Sequence, residues 1–234
     1  MISRSRIKKE LIEILRRKDV NSIFVSLQMY GECDLVSPLF AALCHREENV
    51  RWHAVSAFGW VVDRIAQKDL ESARVVMRRF LWSLNDESGG IGWGSPEAMA
   101  EIMFCNDTLF KEYGHLLLSY MREDGPEPFQ DGNYLELPQL QRGVLWGIGR
   151  LAGKYREVLL RKGVVADLMP YLDSPDRPVR GMAAWSLGIL KAEKAKESMQ
   201  RLLDDRVCVN LYWQGDIIET TVAELARQSI DAFC

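Results

Sequence analysis

Four stretches of this chain can be laid over one another, and that repetition constrains the fold more than any other feature. They are VRWHAVSAFGWV (50–61), IGWGSPEAMAEI (91–102), LQRGVLWGIGRL (140–151) and PVRGMAAWSLGIL (178–190). Their apolar columns hold Val50, Ile91, Leu140 and Val179, then Ala54, Ser95, Val144 and Ala183, then Phe58, Met99, Ile148 and Leu187, and last Val61, Ile102, Leu151 and Leu190. Offsets of four, eight and eleven residues keep to one side of a helix. A small residue follows the third column each time, as Gly59, Ala100, Gly149 or Gly188. It lets a neighbouring backbone come close or relieves crowding.

Upstream of each such helix lies a second amphipathic stretch: SPLFAALCHREE, MRRFLWSLNDES, YGHLLLSYMRED and VADLMPYLDSPD. The unit is therefore helix, turn, helix. A weaker fifth copy runs from KESMQRLLDD (196–205) to ETTVAELARQ (219–228), with Leu225 and Ala226 in place of the Leu-Gly pair. Spacings of 41, 49, 39 and 38 residues suit helical solenoids. The expectation is an all-α fold, a right-handed α-α superhelix of about five helix pairs with negligible strand. It forms one domain over 1–234, with repeats near 35–67, 70–106, 109–155, 163–193 and 195–230. The N-terminal cap covers 1–31, its helix running from Arg4 to Arg17.

The pattern of two leucines, an acidic turn and Val-Arg-x-x-Ala-Ala-x-x-Leu-Gly, clearest in LMPYLDSPDRPVRGMAAWSLG (168–188), resembles the phycobilisome-lyase HEAT-like repeats. The resemblance covers about residues 35 to 230 and implies architecture more than function, since such proteins include scaffolds, cofactor-attachment lyases and DNA-repair enzymes. The chain departs from the pattern where Gly92 and Gln141 replace the arginine found at Arg51 and Arg180. The glycine-rich segment NDESGGIGWGSPEAM (85–99) is similar to one in HEAT-like proteins of anaerobic bacteria, which implies no activity.

Composition narrows the class. With 47% hydrophobic and 27% charged residues in 234, the chain can bury a substantial core. A net charge of −3 provides no general basic field for nucleic acid or anionic lipid. The opening MISRSRIKKELIEILRRKD lacks a seven-residue apolar core, so no signal peptide is expected, and no apolar run reaches transmembrane length. Five cysteines without a CxxC pair point to reduced thiols in a cytoplasmic protein.

Two features mark a binding surface. Three loops are long, NDESGGIGWGS (85–95), EDGPEPFQDGNYLELP (123–138) and DDRVCVNLYWQGD (204–216), and in a helix-pair solenoid they share one rim. Their acidic, aromatic and glycine content includes Asp86, Glu87, Gly90, Gly92, Trp93, Tyr134, Tyr212 and Trp213. In the first of them Ser95 is the expected N-cap and Pro96 the first helical residue. GGIGWG lacks the Lys-Ser/Thr of a P-loop and follows a helix, so neither phosphate-binding motif is supported. The second feature is a stripe of tryptophans opposite the core columns, from the pairs Trp52/Ser56, Trp93/Glu97, Arg142/Trp146 and Gly181/Trp185. It faces outward on the concave side, or else the indoles pack against adjacent repeats.

Catalytic constellations are poor. His45, His53 and His115 form no HExxH motif, and Glu97 and Glu101, one turn apart, suit either a shared cation or an ordinary solvated helix. The reading is a non-enzymatic binding protein for a protein partner, with no cofactor and no metal. The alternatives are a bilin-lyase-like cofactor chaperone or metal-dependent enzyme, and a HEAT-like DNA glycosylase. Scattered Arg51, Arg142, Arg150 and Arg180 argue against the last.

Overall fold

The computed structural model describes residues 4–85, 92–123 and 133–233. Its contacts divide the chain into two compact units, 1–113 with 212–217, and 114–211 with 218–234. The class is all-α and helical-repeat, with one small departure described below.

The first unit holds α1 (Arg4–Leu15), α2 (Val20–Leu27), α3 (Glu32–Leu43), α4 (Glu48–Lys68), α5 (Leu70–Leu84) and α6 (Ser95–Cys105). The cap is two helices where one was expected. Asp19 explains the break, because its carboxylate accepts the amides of Asn21 and Ser22 and starts α2 afresh. Asp69 does the same between α4 and α5, accepting from the Glu71 amide. Phe40 of α3, Phe58 of α4 and Phe80 of α5 meet with ring centroids 4.3–5.0 Å apart and join consecutive helices around one aromatic core.

The unit boundary falls within α7 (Asp107–Ser119). The second unit continues with α8 (Pro138–Arg161), α9 (Val164–Leu168) with a 3₁₀ turn over Met169–Asp173, α10 (Arg177–Ile189), α11 (Lys196–Gln200) and α12 (Val222–Asp231). Second helices of successive repeats pack on one another, α4 on α6, α8 on α10 and α10 on α12. The column of small residues makes this possible. A Cβ on Gly59 would lie 2.8–2.9 Å from Glu101 and Cys105 of α6, one on Gly149 would strike Trp185 and Ser186 of α10, and one on Gly188 would lie 2.9 Å from the Ser229 Cα of α12. Each glycine thus seats the next repeat.

The repeat arginines have a structural task. Arg51 donates to the His45 carbonyl at 2.9 Å and Arg180 to the Ser174 carbonyl at 2.8 Å, each reaching six residues back to tie down the preceding turn. Gln141, which departs from the pattern, keeps the bond: its Nε2 donates to the Leu135 carbonyl, six residues back, at 2.9 Å. Only Gly92 forgoes it.

The expected loop at 204–216 is instead largely a β-hairpin, β1 (Cys208–Trp213) and β2 (Asp216–Thr221). CVNLYW alternates in exposure, with Val209 and Leu211 inward, and Gln214 and Gly215 form a two-residue turn with positive φ at both positions (52° and 97°). Such a turn matches the twist of paired strands, which an extended alternating run then completes. The hairpin tip, Tyr212–Ile217, belongs to the first unit.

Candidate functional site

Of the two placements open to the tryptophan stripe, outward or packed against adjacent repeats, two of its four members take the interior one. Trp146 is 2% exposed and Trp185 is 7% exposed. Trp185 is seated over Gly149, against which it packs from the next repeat. The second helices are buried nearly all round: on α4 from His53 to Gly59, on α8 from Gly143 to Gly149, on α10 from Gly181 to Gly188. A helix enclosed on several sides has no outward face for a periodicity argument to find. Arg142, placed on the same stripe, is held by Asp176 through Nε at 3.0 Å and Nη2 at 2.5 Å, and Asp176 in turn caps α10 by accepting the Val179 amide.

Two of the aromatic loop residues are also structural. Tyr212 is buried, stacked on half-buried Trp52 with centroids 4.8 Å apart, and its hydroxyl lies 2.7 Å from Ser56 Oγ. Tyr134 is half-buried, and its hydroxyl accepts from Gln141 Nε2 at 3.2 Å. Trp213, at the hairpin tip, is half-buried. His53 is a core residue as well: Nδ1 sits 2.6 Å from the Leu15 carbonyl oxygen at the end of α1, an acceptor that only an N–H satisfies. His45 Nδ1 accepts the Glu47 amide at 3.1 Å. Neither histidine is presented as an acid, base or ligand, and among the described residues no group of three or more His, Cys, Asp or Glu is placed to hold a metal.

The junction of α5 and α6 differs. Here Ser83 Oγ and Ser95 Oγ are 3.0 Å apart, and Gly92 is buried where a Cβ would lie 2.9 Å from both Leu84 Cδ2 and the Ser83 carbonyl oxygen. Gly92 is thus required by packing. Gly94, at φ 73°, occupies the cap position expected of Ser95, so the helix starts one residue early and Pro96 is its second residue where the first was expected. Trp82, next to Ser83, is 80% exposed, and Trp93, two residues before Ser95, is 38% exposed. Both indoles therefore stand beside the same knitted joint. Trp82 was missed from the sequence, though helical period would have found it: Ala73, Val76, Met77 and Phe80 line the inward face of α5, and position 82 lies across from them. Glu97 lies in the first turn of α6, half-buried overall, yet its Oε2 is cut off from solvent with no hydrogen-bond partner among the described residues. Burial pushes its carboxyl up to about 7, against the pull of its own backbone N–H and of Arg51. The remaining residues named for this loop, Asp86, Glu87 and Gly90, lie outside the described residues.

Comparison with known proteins adds the following. Residues 138–190 match the HEAT-like repeat family. The match covers α8 to α10, the part of the chain in which the repeat pattern is most complete. Comparison with curated proteins returns no match. Among solved structures the chain is similar to a designed armadillo repeat protein (16% identity, 96% of this chain and 99% of that one, TM-score 0.47). It is also similar to a designed armadillo repeat protein in complex with the peptide (KR)4 (18% identity, 96% and 98%, TM-score 0.49) and to an engineered protein (16% identity, 97% and 96%, TM-score 0.49). No helix among the described residues is long and apolar enough to cross a membrane.

Proposed function

We propose that this chain is a non-enzymatic binding protein that holds a protein partner at the α5–α6 junction, with Trp82 and Trp93 as its anchors. The observation that carries this is their exposure, set against a chain whose other indoles Trp146 and Trp185 are buried and Trp52, Trp60 and Trp213 half-buried. An indole left in water is unfavourable, and tryptophan is among the residue types most enriched where a few contacts supply most of the binding energy. The helix-repeat frame offers such residues a rigid support. The described cysteines Cys33, Cys44, Cys105 and Cys208 are exposed and form no disulfide among the described residues, which supports a reducing, cytoplasmic setting.

Affinity capture from the native cell, with wild-type chain and a Trp82→Ala/Trp93→Ala variant compared by quantitative mass spectrometry, tests the reading. A protein retained by the first and lost by the second, with helicity unchanged, is the expected result. Equal retention by both overturns it.

A further inference from the structure

The first unit contains a second feature that the α5–α6 junction does not involve. A groove of about 1090 Å³ runs along α1, bounded by the end of α2 and by the turn after α3. Its walls carry five cations, Lys8, Lys9, Arg16, Arg17 and Arg46, against two carboxylates, Glu10 and Glu13, in a chain whose net charge is −3. The carboxylates are already used. Glu10 takes Arg6 at 2.7 Å and the Tyr30 hydroxyl at 2.8 Å, and Glu13 takes Arg16, which also reaches Glu47 outside the groove. Arg17 donates to Ser26 Oγ at 2.5 Å, a neutral partner. Lys8, Lys9 and Arg46 hold no ion pair among the described residues, and all three are exposed. What remains after internal pairing is a surplus of positive charge lining a concave surface, where field lines concentrate.

Beside the neutral polar groups Ser26, Tyr30 and His45, the lining is apolar. Ile12 is half-buried, Ala41 is exposed, and Met29 is 82% exposed at the end of α2, one turn beyond Val25, also exposed. Methionine left in water at a groove edge is an adaptable surface for another side chain.

We propose that this groove binds an acidic peptide segment carrying aliphatic or aromatic side chains, its carboxylates on Lys8, Lys9 and Arg46 and its apolar residues on Ile12 and Met29. Charge complementarity selects an anion. The apolar lining selects a polypeptide over a nucleic acid, whose phosphate track would also have to pass Glu10 and Glu13. The site is separate from the α5–α6 junction and stands or falls independently of it.

The test uses the full chain and fluorescein-labelled synthetic peptides, read by fluorescence anisotropy. A short peptide of glutamates with interspersed leucines should bind at low salt, and weaken as salt screens the contacts. A Lys/Leu peptide and a Glu/Ser peptide of equal length should each bind roughly tenfold more weakly or not at all. Lys8→Glu/Lys9→Glu should lower affinity by roughly tenfold and Met29→Ser severalfold, with unchanged circular dichroism. Met29 lies outside α1, so its variant decides the matter if the charge reversal disturbs that helix. Equal binding of the control peptides, indifference to both variants, or tighter binding of a DNA duplex or of phosphatidylserine vesicles than of the Glu/Leu peptide would overturn the proposal.

Discussion

Glu97 is the residue at which folding and ionisation conflict most plainly. Its folded carboxyl titrates near 7 because burial opposes the charge, while the unfolded chain keeps the ordinary value of 4.5. Between those values the folded state holds the proton and the unfolded state does not, so stability falls as pH rises from about 4.5 and levels off above about 7. Glu97→Gln removes the titration. It should leave thermal stability at pH 5 nearly unchanged and raise it at pH 8 by about 1–3 kcal/mol, the cost of an ionised group left unsatisfied. Melting curves at the two pH values check this, and parallel pH dependence in both proteins would mean that the carboxylate is satisfied. Arg51, Gln141 and Arg180 show the opposite case, charged or polar residues at one repeat-motif position that serve the fold through one repeated bond to a carbonyl six residues back.

At the scale of elements, the β-hairpin is the clearest test of local rules. Gln214 sits at φ 52° and is exposed, a conformation that asparagine adopts more readily than glutamine. Gln214→Asn should raise stability by about 0.5–1 kcal/mol, visible as a melting shift of a few degrees; a fall would show that the glutamine side chain holds the turn. The second helices were legible because their apolar columns recur at fixed offsets, and the seating glycines because they follow one column. The hairpin was not. VNLYW-QG-DIIET contains both alternation and a two-residue Gly turn, but Gln in place of Asn weakens the signal, and the repeat pattern had assigned the stretch to a loop. The exposure of individual tryptophans was equally illegible, because one helix's periodicity does not reveal how many neighbours enclose it. Periodicity alone leaves Trp185 either outward or packed against the next repeat for that reason, and it does not single out Trp82, on a helix open to one side.

For the whole molecule, the tryptophans divide by exposure, with Trp146 and Trp185 buried and Trp82 and Trp93, the proposed anchors, exposed. Trp185→Ala opens a cavity over Gly149 and should cost about 3–5 kcal/mol, a fall in melting temperature on the order of 10 °C. Trp82→Ala/Trp93→Ala removes two exposed side chains and should move the melting temperature by no more than about 2–4 °C. The decisive measurement is thermal unfolding of the two variants beside wild type, followed by partner capture at a temperature where all three are folded. The account predicts a large loss of stability with capture retained for Trp185→Ala, and near-native stability with capture abolished for Trp82→Ala/Trp93→Ala. Near-native stability of Trp185→Ala, or undiminished capture by the double variant, would contradict it.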